Sequence, residues 1–316
     1  MRRGTLAAVV LSAVLLAAGC GSDDGGDARA QAQPAATVSA QAAAAAAPAA
    51  ALAPLARADR FDGARAFTLL REQVQEYGWR PAGSAALRRL AVRLRALMPR
   101  GRFEAIPGHP RLRNVVGSVP GRRPAIVVAA HYDVEAAPAG FVGANDGAAG
   151  TAAVVTLARA FAQTRRPRGA RELRFVLFDG EEEPAGCTPF EACGIRGSRA
   201  YAARHGDEVS ALVLLDYIAE KQDLSFPRER SSDPEIWTQL RRAADAVGVG
   251  ALFDARRSGQ ILDDHTPFTR RGIPAIDVNY PQRDSLEDNL AAVSRRSLDA
   301  VGEAVHLLVA RLRASG

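Results

Sequence analysis

Lysine is almost absent from this chain of 316 residues: Lys221 is the only one, and arginine supplies nearly all of the positive charge. Aromatic residues are also few, at 6% of the sequence. No arginine-rich stretch is interleaved with aromatic side chains, the pattern typical of nucleic-acid-binding segments. We therefore expect no nucleic-acid partner, and we attribute the scattered net charge of +6 to genome composition.

Long hydrophobic runs are lacking except near the N-terminus. Residues 6–16 form an apolar stretch after Arg2 and Arg3. This stretch is shorter than a typical transmembrane helix. Small residues then lead directly into Cys20, which resembles the lipobox of bacterial lipoproteins. We predict a lipoprotein signal peptide over residues 1–19, lipidation of Cys20, export, and anchoring to the cell membrane on its extracytoplasmic side. An ordinary secretory signal with an incidental cysteine is the alternative.

Residues 20–57 lack any periodic contrast between apolar and polar residues. They are rich in Ala, Gly and Pro and include the run 42–47 of alanine, which predicts a disordered tether. The whole chain is 47% hydrophobic, which excludes wholesale disorder. Residues 58–316 show no internal repeat and no second domain, so we predict one globular domain there, and we expect a monomer.

Cysteine is scarce as well. With Cys20 assigned to lipid, Cys187 and Cys193 remain, and they are close in sequence. Exported proteins meet oxidising conditions that favour disulfides, so we predict a bond between these two cysteines. A structural zinc site would need more Cys or His residues than this segment offers. We expect the bond to rigidify a loop and so to shape a pocket, with Phe190 as a candidate contact.

Short apolar runs alternate with helical stretches through residues 58–316. The runs lack strict alternation, as strands buried on both faces do: 114–116, 125–130, 172–178, 211–215 and 273–278. Apolar residues at helical spacing predict helices: 62–77, 84–97, 150–163, 198–204, 234–247 and 294–312. Ser84 is the expected N-cap of the second helix. This order predicts an α/β fold with three layers, α/β/α, around a mostly parallel mixed sheet.

Acidic residues and a histidine directly follow the predicted strands, where open α/β sheets place their ligands. Three strands are followed in turn by His131 and Asp133, by Glu181 and Glu182, and by Asp216, and Asp146 lies in a Gly-flanked loop between the first two. Imidazole and carboxylate groups are ligands of borderline and hard divalent cations. Each residue alone has an ordinary explanation, such as a turn, a helix cap or a solvated acidic run. Their joint occurrence at successive strand ends predicts a metal centre.

The same residues suggest how such a centre would work. Two metal ions about 3.5–4 Å apart need a bridging carboxylate, and Asp146 suits that position because its neighbours are small. Of the adjacent Glu181 and Glu182, one can hold metal while the other takes a proton from water during attack on a carbonyl.

Several motifs resemble those of the di-zinc aminopeptidases, a family that also includes the glutaminyl cyclases and the transferrin-receptor-like proteins. They lie within about 114–312 and are His131-Tyr132-Asp133, Gly143-Ala144-Asn145-Asp146-Gly147, Asp179-Gly180-Glu181-Glu182, Gly197-Ser198-Arg199, Leu215-Asp216 and Asp263-Asp264-His265-Thr266-Pro267-Phe268. The resemblance implies a single zinc-exopeptidase-like α/β/α domain, a peptide substrate, and one or two zinc ions per chain.

The resemblance also implies a role for each site residue. One zinc would be bound by His131, Asp146 and Asp216, and Asp146 would bridge to a second zinc held by Glu182. Glu181 would be the general base. By the same resemblance, the carboxylate that orients His131 would be that of Asp133, a common arrangement around metal-binding histidines.

One departure from the family concerns the second zinc. The family closes that site with a His before an Asp-Thr-Leu-like stretch, whereas residues 279–286 contain no His. Matching residues 284–286 to that stretch places Tyr280 near the missing ligand. Asp263, His265 and Tyr280 are therefore the possible substitute or supporting residues.

Three functions are compatible with these residues. We predict a zinc metallopeptidase of the aminopeptidase type, which hydrolyses N-terminal residues from peptides. The first alternative is a glutaminyl-cyclase-like acyl transfer with one zinc. The second is a non-catalytic binding lipoprotein of the same fold, against which the retained Glu181 argues, because a binding scaffold needs no base.

Overall fold

The structure is a computed structural model that describes residues 50–280 and 285–314. The predicted signal peptide, Cys20 and most of the predicted tether lie outside the described residues. The end of that tether, residues 50–57, lies against the domain. The backbone N–H of Arg57 donates to the Val247 carbonyl at 2.8 Å, and Ala51 and Asp223 exchange two hydrogen bonds of 2.8 Å. The packed part of the chain therefore begins before residue 58.

The strands of the described residues form a large sheet and a small one. The large sheet contains β1 (Arg102–Ile106), β2 (His109–Val119), β3 (Arg122–His131), β4 (Arg171–Phe178), β5 (Val209–Asp216) and β8 (Ala275–Asn279). The small sheet pairs β6 (Phe226–Arg228) with β7 (Phe253–Arg257).

The large sheet has the order β1-β2-β4-β3-β5-β8. Its centre is parallel, because β3 pairs in parallel with β4 and β5, and β5 pairs in parallel with β8. The other edge is antiparallel, since β2 runs against both β1 and β4. The predicted mostly parallel mixed sheet is thus confirmed, while β1 and the small sheet were not predicted.

Helices cover both faces of the large sheet. They are α1 (Gly63–Glu72), which continues in a π-helical turn (Gln73–Tyr77), α2 (Ala85–Leu97), α3 (Ala148–Gln163), α4 (Phe190–Cys193), α5 (Arg196–His205), α6 (Pro234–Ala246), α7 (Thr266–Thr269) and α8 (Arg295–Ala314). All six predicted helices are confirmed, and Ser84 caps α2 by accepting the Leu87 N–H at 3.1 Å. Within the described ranges, none of these helices has the length and hydropathy needed to cross a bilayer.

Strand β3 shows why the strand sequences lack polar alternation. Val128 and Ala130 belong to the apolar core that also contains residues of α1, α3 and α8. Val127 and Ala129 belong to the core on the opposite face, with residues of α5 and α7. Both faces are buried over residues 125–130, so these positions are all apolar. The confirmed α/β/α layering follows from this pattern.

Candidate metal centre

The polar side chains of the site come together because their strands are neighbours. Strand β3 lies between β4 and β5 and ends at His131, beside Phe178 at the end of β4. The loop after β4 then carries Glu181 and Glu182, and β5 ends at Asp216. Parallel strands bring their carboxyl ends to one edge, so the sequence placed these residues correctly at a common edge.

The first expected ligand set converges on one point. His131 Nε2 lies 2.9 Å from Asp146 Oδ1 and 3.3 Å from Asp216 Oδ1. All three side chains are buried, and one ligand atom from each lies within 4.8 Å of the others. A divalent cation could be held at this point by one imidazole and two carboxylates.

Glu181 and Glu182 lie on the same centre. One ligand atom from each, together with one from His131, forms a second group within 4.8 Å. Glu182 also contacts the Asp146 carboxylate, so the two groups adjoin each other. Among the described residues, no further histidine joins this second group.

Asp133 is placed differently from the expectation in one respect. Its Oδ1 lies 3.8 Å from His131 Nδ1, which is longer than a hydrogen bond. Instead, the Asp133 carboxylate accepts the backbone N–H groups of Glu181 and Glu182, each at 3.2 Å. Asp133 therefore fixes the loop that presents the two glutamates.

The loop that carries Asp146 is held by residues that the sequence did not reveal. The Asp288 carboxylate accepts the backbone N–H groups of Asn145 at 2.7 Å and of Asp146 at 2.9 Å. The buried Arg80 donates to the carbonyls of Val142 and Gly143. These partners are distant in sequence, and no local pattern could have identified them.

Gly147, directly after Asp146, has no room for a side chain. Its φ is +78°, and a Cβ there would lie 2.6 Å from the Asp133 carbonyl and 3.3 Å from the His131 ring. Glycine is therefore required for the Asp146 loop to approach His131 this closely.

Two further side chains contact the ligand carboxylates and were missed from the sequence. The Tyr217 hydroxyl donates to Asp146 Oδ2 at 2.9 Å. Asn279 Nδ2 donates to Asp216 Oδ2 at 3.1 Å. Asn279 ends β8, the neighbour of β5, so the strand-end rule applied to the predicted strand 273–278 could have found it.

The centre concentrates buried negative charge. Burial raises the pKa of Glu181 and of Glu182 well above the usual range, and nearby carboxylates raise both further. Burial also raises the pKa of Asp216, to about 7, although His131 opposes the shift. For His131, burial lowers the pKa, but contacts with Asp133, Asp146 and Asp216 outweigh it and raise the pKa well above its usual value. A divalent cation would compensate these carboxylates, so the donor set fits a metal.

A cavity of about 470 Å³ opens beside the centre. Its polar lining includes Glu181, Glu182 and Asp216, and its apolar lining includes Phe190, Ile261 and Leu262. The predicted disulfide between Cys187 and Cys193 is present and closes the loop that carries Phe190. The loop therefore contributes to the cavity wall, as we expected.

The three possible substitute residues lie in different places. Asp263 lines the cavity. His265 is fully buried away from it, with Nε2 2.8 Å from Ser231 Oγ.

Tyr280 is half-buried and is not among the residues that line the cavity. Burial raises the pKa of Tyr280, and the nearby carboxylates of Glu220 and Asp223 raise it further. Neither carboxylate belongs to the candidate metal centre. Residues 281–284 of the same segment lie outside the described residues. Among the described residues, the potential ligand groups around His131 include neither Tyr280 nor a second histidine.

Comparisons with known proteins agree with this fold. A family model described as peptidase family M28 matches residues 114–309. A glutaminyl-peptide cyclotransferase of Drosophila melanogaster is 29% identical over 223 residues, covering 60% of this chain and 61% of that relative. The chain thus spans about three-fifths of the length of this relative.

Solved structures are similar over nearly their whole length. The glutaminyl cyclase of Porphyromonas gingivalis has a TM-score of 0.70 and 26% identity, covering 81% of this chain and 100% of that one. A leucine aminopeptidase precursor from Bacteroides thetaiotaomicron has a TM-score of 0.69 and 24% identity, covering 81% and 99%. The second likeness shows the shared fold alone.

Proposed function

The chain belongs to peptidase family M28, and from this premise we propose that it is a zinc-dependent aminopeptidase that hydrolyses N-terminal residues from peptides. The observation that carries the proposal is the convergence of His131, Asp146 and Asp216 at the cavity that also exposes Glu181. Three protein ligands with an open position are typical of catalytic zinc sites.

One catalytic zinc fits the described residues better than two. Bound by His131, Asp146 and Asp216, zinc would supply the Lewis acidity that polarises the scissile carbonyl. A second ion would depend on Asp146 and Glu182, and the Tyr217 hydroxyl already contacts Asp146 at the oxygen away from His131. We therefore propose one zinc in the cavity.

Glu181 would move the proton during hydrolysis. Burial and the neighbouring carboxylates raise its pKa, which brings it closer to the operating pH and makes it a stronger base. It would accept a proton from the attacking water and return it to the amine that leaves when the peptide bond breaks. The backbone N–H of Glu181 donates to Asp133, so the base is held at a fixed place. Glu183, at the cavity, could contact the substrate's α-ammonium group.

Cyclisation of an N-terminal glutamine is the second candidate, and the relatives named glutaminyl-peptide cyclotransferase favour it. In that reaction the α-amine attacks the side-chain amide carbon of the same residue, and ammonia leaves. Glu181 would take the proton from the amine and give it to the ammonia. The same base and the same cavity would serve both reactions.

Mass spectrometry of the products distinguishes the two reactions. The protein, purified without chelator, is incubated with a peptide beginning with Leu and with one beginning with Gln. Hydrolysis shortens either peptide by one residue. Cyclisation keeps all residues of the Gln peptide and lowers its mass by that of one ammonia molecule. Loss of turnover with chelator and recovery with zinc would support the zinc proposal. Turnover that persists after verified zinc removal would contradict it.

We also propose that the protein is an exported lipoprotein anchored through Cys20, which lies outside the described residues. The apolar stretch and the small residues before Cys20 support the proposal. The test is the membrane fraction of the native host. The wild-type protein should partition into detergent, and a Cys20→Ser variant should not. Equal partitioning of both would contradict lipidation.

A further inference from the structure

A second group of potential ligands shares only Asp263 with the lining of the catalytic cavity. One ligand atom from each of Asp263, His265 and Asp277 lies within 4.8 Å of the others. His265 and Asp277 are both 0% exposed, and Asp263 is 4% exposed. Asp277 lies within β8, and His265 directly precedes α7. Neither of these two residues lines the catalytic cavity.

The hydrogen bonds of Glu229 show that it is an acceptor. Its carboxylate receives the backbone N–H groups of Ser231 and Ser232 at 2.8 Å each, and that of Ile261 at 3.1 Å. Both oxygens of the Glu229 carboxylate are therefore hydrogen-bond acceptors.

This acceptor determines which nitrogen of His265 carries hydrogen. The Ser231 hydroxyl lies 2.8 Å from Glu229 Oε2 and must donate its single hydrogen there. The contact of 2.8 Å between Ser231 Oγ and His265 Nε2 must then be donated by Nε2–H. In the neutral imidazole, the lone pair therefore lies on Nδ1, on the other side of the ring.

That lone pair faces other electron-rich atoms. Asp277 Oδ2 lies 3.7 Å from His265 Nδ1, too far for a hydrogen bond. Within the described part of the chain, His265 Nδ1, both carboxylate oxygens of Asp277 and Asp263 Oδ2 have no hydrogen-bond partner. Buried polar atoms without partners are costly, so the cluster lacks a group that could satisfy several acceptors at once.

We propose that Asp263, His265 and Asp277 bind a divalent cation of the zinc type, separate from the catalytic ion. Ligands bound at about 2.0–2.2 Å in tetrahedral geometry lie roughly 3.4 Å apart, close to the 3.7 Å between His265 Nδ1 and Asp277 Oδ2. One imidazole and two carboxylates are a donor set suited to such a cation. The Nε2–H contacts with Ser231 and Glu229 are those expected of a metal-binding histidine.

The charges around Asp277 support the proposal. Burial raises its pKa well above the usual range, and Asp263, Asp216, Glu229 and Asp264 raise it further. All four neighbours are acidic, so a bound cation would offset their repulsion. Because Asp263 also lines the cavity, the ion would fix one part of the cavity wall.

The first test counts metal ions per chain by elemental mass spectrometry after saturation with zinc and removal of the excess. We expect two in the wild type: one at His131 and one at His265. Asp277→Asn should lose about one equivalent, and so should Asp216→Asn, which removes a ligand of the catalytic ion. Asp264→Asn is the matched control, since Asp264 is as buried as Asp277 but does not belong to this group of potential metal ligands. A wild-type zinc count in Asp277→Asn would overturn the proposal.

The second test locates the ion and does not depend on any variant folding. Crystals of the wild-type protein soaked in zinc are measured at the zinc absorption edge. An anomalous peak within bonding distance of His265 Nδ1 would support the proposal, whether or not a peak occurs at His131. A peak at His131 alone would overturn it, and the proposed catalysis would stand. Lack of peptide turnover would contradict the proposed function. It would not bear on the His265 site, which the anomalous peak tests by itself.

Discussion

The hydroxyl of Tyr217 donates a 2.9 Å hydrogen bond to Asp146 at Oδ2, the oxygen that does not face His131. It holds the carboxylate in the orientation needed to bind an ion with its other oxygen. Tyr217→Phe removes only this hydroxyl, and we expect the affinity for the catalytic zinc to fall by about 10- to 100-fold. Competition with a fluorescent chelator measures the affinity.

Tyr280→Phe is the matched control for that experiment, because Tyr280 is half-buried but does not line the cavity. We expect its zinc affinity and turnover to equal those of the wild type. The reverse outcome, with zinc lost in Tyr280→Phe and kept in Tyr217→Phe, would show that Tyr280 replaces the missing histidine.

Replacement of Glu181 by Gln should separate proton transfer from metal binding. The amide keeps the shape of the side chain but cannot accept a proton, so kcat should fall by about 10²- to 10⁴-fold. The zinc count should not change, because His131, Asp146 and Asp216 remain. Glu183→Gln, at the same cavity, should instead raise KM, because its carboxylate would contact the substrate's α-ammonium group, and should leave kcat within a few-fold of the wild type. Equal kcat in Glu181→Gln and the wild type would exclude Glu181 as the base.

The disulfide between Cys187 and Cys193 should affect both stability and substrate binding. Replacing both cysteines by Ser frees a short loop in the unfolded chain, and the loss of stability should be about 2 kcal/mol. Phe190 lies in this loop and lines the cavity, so KM should rise more than kcat falls. Denaturant unfolding and steady-state kinetics measure the two effects. Unchanged values in both would mean that the bond neither stabilises the domain nor shapes the cavity.

His306 should make the protein less stable in mild acid. Burial, together with the nearby Arg60, lowers its pKa to about 4, whereas an unfolded chain has a His pKa of about 6.5. As pH falls below about 6.5 the unfolded state binds the proton first, so the contribution is complete above 6.5 and is lost progressively towards pH 4. The loss should reach about 3 kcal/mol at most.

His306→Phe isolates that effect, because a phenyl ring can keep the stacking on Phe161, whose ring centre is 4.6 Å away. Unfolding free energies of both proteins are compared from about pH 7.5 to about pH 4.5. The wild type should lose more stability over this range than the variant. Parallel curves for the two proteins would show that His306 is protonated equally in both states.

The sequence was sufficient for those features that depend on local pattern. Residues 125–130 are apolar at every position because both faces of β3 are buried, and the run predicted a central strand correctly. Strand β1 was missed because its residues are mostly exposed or half-buried, so Arg102–Ile106 contains no apolar run. The sequence predicted a mixed sheet but did not place its antiparallel edge, where β2 pairs with β1 and β4.

The sequence by itself determined the fold class and the set of strand-end residues, because parallel strands deliver their final residues to one edge whatever the details of the loops. Only the tertiary structure decided that Asp133 holds the glutamate loop, that Asp288 holds the Asp146 loop, and that His265 faces Asp277. The physical reason is that these contacts join residues whose spacing along the chain is arbitrary. Their geometry depends on the paths of loops and on side-chain rotamers, which no periodic pattern of residues records.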